Sequence, residues 1–245
     1  MNPPRLRMFA GPNGSGKSTI KARISRINTE WLGVYINPDE IEREIAKTGQ
    51  LDLGHFTVKT NKTGIFNFLR SADQLIDHGL VDQVSELGFS RNELFFHDVS
   101  LNSYFVSAIA DFLHERLVAA KTSFSFETVM SHPKKIELLK RASSEGFRNY
   151  LYFVATEAPE INISRVHIRV NEGGHDVPPQ KVVDRYYRSL DNLLPAIRAT
   201  SRAFIFDNSG AEATLIAEVT DGKKVEIKNS NVPAWVKRYL LDKTR

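Results

Sequence analysis

Residues 11 to 19, GPNGSGKST, set glycines, a lysine and hydroxyl side chains in one short run. Gly11, Gly16, Lys17 and Ser18 meet the pattern G-x-x-x-x-G-K-[ST], after the strand-like RLRMF (5–9) and before a helical stretch. In such a loop, here Gly11, Pro12, Asn13, Gly14, Ser15 and Gly16, the backbone N–H groups, which Pro12 alone lacks, turn inward on an anion, and the helix N-terminus adds its dipole. Lys17 reaches the terminal phosphates, Ser18 holds a metal ion, and Thr19 completes the run. The chemistry is binding of a nucleoside triphosphate, read as ATP with Mg²⁺.

Further chemistry-bearing residues follow at the ends of strand-like runs. Asp39, in YINPDEI (35–41), lies where ligands of a parallel sheet collect, so it is a general-base candidate. The same residue could be a helix cap or a first-turn acid. Glu127 and Thr128, in FSFETVMSH (124–132), end another strand, where a carboxylate could orient metal-bound water or bind a substrate hydroxyl. Arg165 and Arg169, four apart, precede the break GGHDVPP, and Arg185 and Arg188, three apart, follow it. Two arginine-bearing helices about a glycine hinge, spanning 160–190, suit a lid whose guanidinium groups meet phosphoryl oxygens. His175 lies in the hinge as a substrate-contact candidate. FDNS (206–209) reads as turn chemistry at a strand end.

These residues need a frame that gathers strand ends. Strand-like runs at 5–10, 33–37, 123–129, 149–156 and 202–208 alternate with helical spacing at 104–121 and 132–147, which is βαβ rhythm. The stretch 48–102 shows no clear strand and is read as a mostly helical insertion in a single domain covering 1–245. TLIAEVTDGKKVEIKN (214–229) alternates on both sides of Asp221 and Gly222, a hairpin signal. The expected class is α/β, a nucleotide-binding parallel sheet flanked by helices, with the insertion and a C-terminal β-hairpin.

Composition removes other classes. The absence of cysteine excludes disulfides, thiolate catalysis and cysteine-bound zinc, and suits a reducing cytoplasm. No run of eighteen apolar residues and no leader-like N-terminus is present, so the expectation is a soluble, unprocessed chain with no membrane role. The 33 basic and 29 acidic residues leave +4, but the basic residues are scattered, and no basic residues interleave with the aromatic run NELFFHD. Nucleic acid is therefore not the expected partner.

With the phosphate loop, NPDEI, FETV and the RV, RV, GGHDVP series in this order, the chain resembles the zeta toxin family of P-loop kinases. The resemblance implies a P-loop NTPase-type fold and ATP-dependent transfer of a phosphoryl group to a small-molecule hydroxyl. In the best-understood members the acceptor is UDP-N-acetylglucosamine, and a small antitoxin protein is the partner. It also implies that Lys17 and Ser18 serve the nucleotide, that Asp39 is the base, and that Glu127 and Thr128 bind substrate. Family members carry a second lid arginine shortly before a T-P pair; here His175 precedes DVPP, which moves that role to Arg169, Arg185 or Arg188. Two other readings stand beside this one: a kinase of nucleic-acid ends or nucleosides, and a nucleotide-dependent interaction module without phosphotransfer.

Overall fold

The computed structural model describes residues 2–26, 29–171 and 176–244. His175 lies outside the described residues. The chain divides into two compact units, Met1–Leu32 with Ser125–Arg245, and Gly33–Phe124. The second is wider at both ends than the 48–102 insertion expected from the sequence.

The first unit opens with β1 (Arg5–Ala10) and α1 (Lys17–Ser25). The intervening unit holds β2 (Val34–Ile36), α2 (Pro38–Thr48), β3 (Gln50–Asp52), α3 (Lys62–Arg70), α4 (Asp73–Ile76), β4 (Gly88–Ser90), β5 (Glu93–Phe95) and α5 (Ser103–Ala119). The first unit resumes with β6 (Phe124–Thr128), α6 (Lys134–Ser144), β7 (Arg148–Ala155), α7 (Pro159–Asn171), α8 (Pro179–Asp191) and α9 (Leu193–Arg198). It closes with β8 (Arg202–Asp207), β9 (Thr214–Thr220), β10 (Lys224–Ile227) and α10 (Ala234–Tyr239).

In the first unit the strands follow the order β10-β9-β8-β7-β1-β6. β1 and β8 both run parallel to β7, while β9 and β10 add the antiparallel hairpin. Alternation assigns the two faces. Phe9, Tyr152 and Val154 pack with Ile20 of α1 on one side. On the other, Asn149 donates to the carbonyls of Leu139 in α6 and Ala199 just after α9, at 2.6 and 3.2 Å. The parallel core therefore brings the carboxyl ends of β1, β7 and β8 to one edge, and Gly11 N–H, donating to the Thr128 carbonyl at 3.3 Å, adds the end of β6.

The intervening unit is centred on α5, whose Phe105, Ile109, Leu113 and Leu117 are at most 1% exposed. Helices α2, α3 and α4 contact it. Asn37, Asn61 and Asn102 cap α2, α3 and α5 through their side chains, each satisfying N–H groups that the helix leaves open. The expectation of no strand between 48 and 102 is corrected: β3, β5 and β4 form an antiparallel sheet in that order. Each strand is three residues long, too short for alternation to show. The β4–β5 turn uses Arg91 and Asn92, both with positive φ (51° and 69°), so a non-glycine pair fills the conformation that glycine usually signals.

Candidate functional site

The loop between β1 and α1 is built by what surrounds it. Gly11 has φ 143°, and a Cβ there would stand 1.9 Å from the Val154 carbonyl oxygen, so the chain passes only as glycine. Gly16 caps α1 with φ 94°, and a Cβ there would lie 2.3 Å from the Asn208 side-chain nitrogen. No side chain caps α1, which leaves its first N–H groups directed at the loop.

Lys17 and Ser18 set the loop's charge and its metal-binding potential. The Lys17 ammonium donates to the carbonyls of Gly11 and Pro12, both at 2.9 Å, which lays it across the loop. The Ser18 hydroxyl donates to Glu127 Oε2 at 2.7 Å, and Glu127 is 9% exposed. A hydroxyl and a carboxylate held together at a phosphate loop are the hard oxygen donors that Mg²⁺ takes, usually with waters and phosphate oxygens filling its other positions. Among the described residues no group of three or more His, Asp or Glu side chains could hold a metal alone. Thr128 accepts the Met130 N–H at 3.0 Å and thereby shapes the turn after β6.

The loop is held from outside by residues far away in sequence. Asn162 of α7, fully buried, donates to the Asn13 carbonyl at 2.5 Å and is hydrogen-bonded to the Thr156 hydroxyl. Asn208 donates to the Ser15 carbonyl at 2.8 Å. Tyr186 of α8 donates to the Thr156 carbonyl at 2.6 Å, and burial, with Glu157 nearby, pushes its phenol far above its ordinary range. Ser15 is fully buried, and its hydroxyl has no hydrogen-bond partner among the described residues.

The arginines separate into distinct roles. Arg165 donates to the carbonyls of Asn208 and Gly210 at 2.7 and 3.2 Å, so it fixes the loop after β8. Arg185 reaches Asn13 Oδ1 at 3.5 Å. Arg169 lies half-buried near the end of α7. Arg188 pairs with Asp184 at 3.9 Å on an exposed part of α8. The FDNS turn is wired as well: Asp207 accepts from the Trp235 indole and from the Ser209 hydroxyl, each at 2.8 Å.

In the second unit, Asn37 rather than Asp39 is the cap of α2, its side chain accepting the Asp39 N–H at 3.0 Å. Asp39 sits in the first turn with an exposed side chain, so its carboxylate is not needed to close the helix end.

Sequence reasoning missed Asn162 and passed over Asn208. Asn162 is a polar residue inside a helical run, which is a faint signal for a tertiary partner. Asn208 lies in a turn-type sequence, and nothing local distinguishes holding a loop from making a turn.

No family model matches the chain. A protein of Haemophilus influenzae, described as uncharacterized, is 21% identical over 182 residues, covering 73% of this chain and 89% of that one. Among solved structures, the PezAT chromosomal toxin-antitoxin system of Streptococcus pneumoniae matches with TM-score 0.55 and 14% identity, over 99% of this chain and 78% of that chain. The AvrRxo1-ORF1:AvrRxo1-ORF2 structure with sulphate ions matches with TM-score 0.54 and 16% identity, over 93% of this chain, which spans only 62% of the other. The AvrRxo1-ORF1:-ORF2 structure with ATP matches with TM-score 0.53 and 16% identity, over 93% of this chain and 61% of that one. At these identities the likeness is one of fold alone, a mixed α/β arrangement with a mostly parallel sheet flanked by helices. No helix among the described residues is long and apolar enough to cross a membrane.

Proposed function

We propose that the protein is an ATP-dependent kinase that phosphorylates a hydroxyl of a small molecule. The observation that carries the reading is the Ser18–Glu127 hydrogen bond at the foot of the phosphate loop, a donor pair of the kind that holds the metal of a bound nucleotide. Mg²⁺, when bound, would neutralise charge on the β- and γ-phosphates. Lys17 pairs with those phosphates once they displace the loop carbonyls from its ammonium. Arg169 and Arg185 steady the γ-phosphoryl group, while Arg165 keeps its place under the loop after β8. Asp39 accepts the acceptor's hydroxyl proton and passes it to water. The acceptor oxygen forms a bond to the γ-phosphorus, the bond from that phosphorus to the β-phosphate oxygen breaks, and the electron pair leaves with ADP.

The acceptor implied by the zeta toxin resemblance is a nucleotide sugar such as UDP-N-acetylglucosamine, with Glu127, Thr128 and His175 as its contacts. A small antitoxin protein is proposed as partner, in line with the toxin-antitoxin system named for the Streptococcus pneumoniae structure. The site of action is the cytoplasm. Incubating the protein with γ-labelled ATP, Mg²⁺ and either UDP-N-acetylglucosamine or a metabolite extract tests the reading. A compound heavier by one phosphate, absent with Lys17→Ala, supports it. ATP hydrolysis with no phosphorylated product sinks it in favour of a nucleotide-dependent interaction module.

A further inference from the structure

Two side chains hold the phosphate loop by its carbonyls, and each thereby aims a donor. In a trans peptide the carbonyl of one residue and the N–H of the next point opposite ways. Asn162 takes the Asn13 carbonyl at 2.5 Å, and Asn208 takes the Ser15 carbonyl at 2.8 Å. The N–H groups of Gly14 and Gly16 therefore point away from the two asparagines, toward the side of the loop that receives an anion. Among the described residues neither N–H donates to a protein acceptor, whereas the Ser15 N–H between them is taken by the Pro12 carbonyl at 3.2 Å.

The two braces are also joined to each other. Asn162 is bonded to the Thr156 hydroxyl, and the next N–H along the chain, that of Glu157, donates to the Ser209 hydroxyl at 2.8 Å. Ser209 follows Asn208, so hydrogen bonds and chain run in a closed ring from Asn13 through Asn162, Thr156, Ser209 and Asn208 back to Ser15. Ser209 closes that ring without touching the loop. Its hydroxyl donates to Asp207 Oδ1 at 2.8 Å and its N–H to Asp207 Oδ2 at 3.1 Å, and the Trp235 indole of α10 donates to the same Oδ1 at 2.8 Å. The backbone bond from the Asn208 N–H to the Ala155 carbonyl, at 2.8 Å, sets the spacing of β7 and β8; the Ser209 hydroxyl adds the side-chain link between the braces. We propose that this hydroxyl is a positioning group for the nucleotide phosphates: it keeps the two braces in register, so that the Gly14 and Gly16 N–H groups meet the phosphates as a preset pair. The inference rests on the nucleotide-binding part of the reading above and does not depend on phosphotransfer.

The test is titration calorimetry of the full chain with ATP and Mg²⁺, repeated with inorganic tripolyphosphate, which has neither base nor sugar. Ser209→Ala should weaken both ligands by about three- to tenfold, as loss of one hydrogen bond does, while Ser209→Thr, which keeps the hydroxyl, should stay within about twofold of the native chain. The second readout is coupling between the braces. In the native background either Asn162→Ala or Asn208→Ala opens the ring, so the double variant should fall short of the product of the two single losses by about threefold. In the Ser209→Ala background the ring is already open, and the two losses should multiply. Should melting curves show that Ser209→Ala does not fold, Asp207→Asn carries the same comparison, because its amide keeps an acceptor for the indole but turns a donor on the Ser209 N–H. Native affinity in Ser209→Ala, with or without a lower melting temperature, overturns the proposal. So does an equal loss in Ser209→Thr, multiplication in both backgrounds, or a loss for ATP that tripolyphosphate does not share; each of these leaves the nucleotide reading standing. A native chain that binds neither ligand sinks that reading, and the Ser209 role with it.

Discussion

The phosphate loop and the start of α2 are both turns that lead from a strand into a helix, yet they are held in opposite ways. Around the loop, Asn162, Asn208, Thr128 and Glu127 each bond to one of its residues or to the first residues of α1, from elements far away in sequence. At α2, one neighbouring residue, Asn37, does the closing through its own side chain. The first arrangement is rigid and aimed at an anion. The second leaves the carboxylates of Asp39, Glu40 and Glu44 outside the work of helix closure. A group that must hold polyphosphate needs preorganised donors, whereas a group that must accept a proton needs an accessible carboxylate.

Disturbing the loop and disturbing the start of α2 should therefore fail differently. Around the loop the largest effect belongs to Lys17→Ala, which should lower phosphotransfer by about 10²- to 10³-fold because it removes a charge met by the transferring phosphoryl group. Initial rates at saturating ATP read this directly. Glu127→Gln should lower turnover by about 10- to 100-fold, as loss of a partner to a metal ligand does, with part recovered at raised Mg²⁺. A Mg²⁺ titration of the variant checks it, and a deficit that ignores Mg²⁺ would leave Glu127 with substrate binding alone.

Asn162→Ala should cost about 1–3 kcal/mol by leaving the half-buried Asn13 carbonyl and the buried Thr156 hydroxyl without their partner, and should raise the KM for ATP. Asn37→Ala should cost only about 1 kcal/mol, a fall of roughly 2–4 °C in Tm for a chain of this size, and should leave ATP binding untouched. The smallest effect is alkaline. Because the folded Tyr186 phenol holds its proton above its ordinary value, its share of stability is complete below about pH 10 and falls as pH rises beyond that. Melting curves from pH 9 to 11 should show a shallower decline for Tyr186→Phe.

The difference between the two regions also explains what could be read in advance. The run from Gly11 to Ser18 announces itself because its function needs adjacent residues of fixed type. The hairpin around Asp221 and Gly222 was legible for the same reason, and β9 and β10 flank it as expected. Asn162 and Asn13 are 149 positions apart, and Asn208 and Ser15 are 193 apart, so no local pattern couples them. A cavity in the second unit gathers residues of β2, α2 and the turn at 53–56, individually ordinary polar side chains whose meeting only the tertiary structure creates. Arg165 carried the right residue type for a lid, yet backbone carbonyls after β8 take up its guanidinium, an outcome that charge and spacing alone do not reveal.

The account rests most heavily on Asp39 as a base rather than as part of a helix end. Asp39→Asn retains size and leaves the Asn37 cap intact, so a single preparation can be followed for turnover, for ATP binding by calorimetry and for melting temperature. The account predicts turnover lower by about 10²- to 10⁴-fold, with ATP affinity and melting temperature close to those of the native chain. Turnover reduced by less than about tenfold while ATP still binds would contradict it.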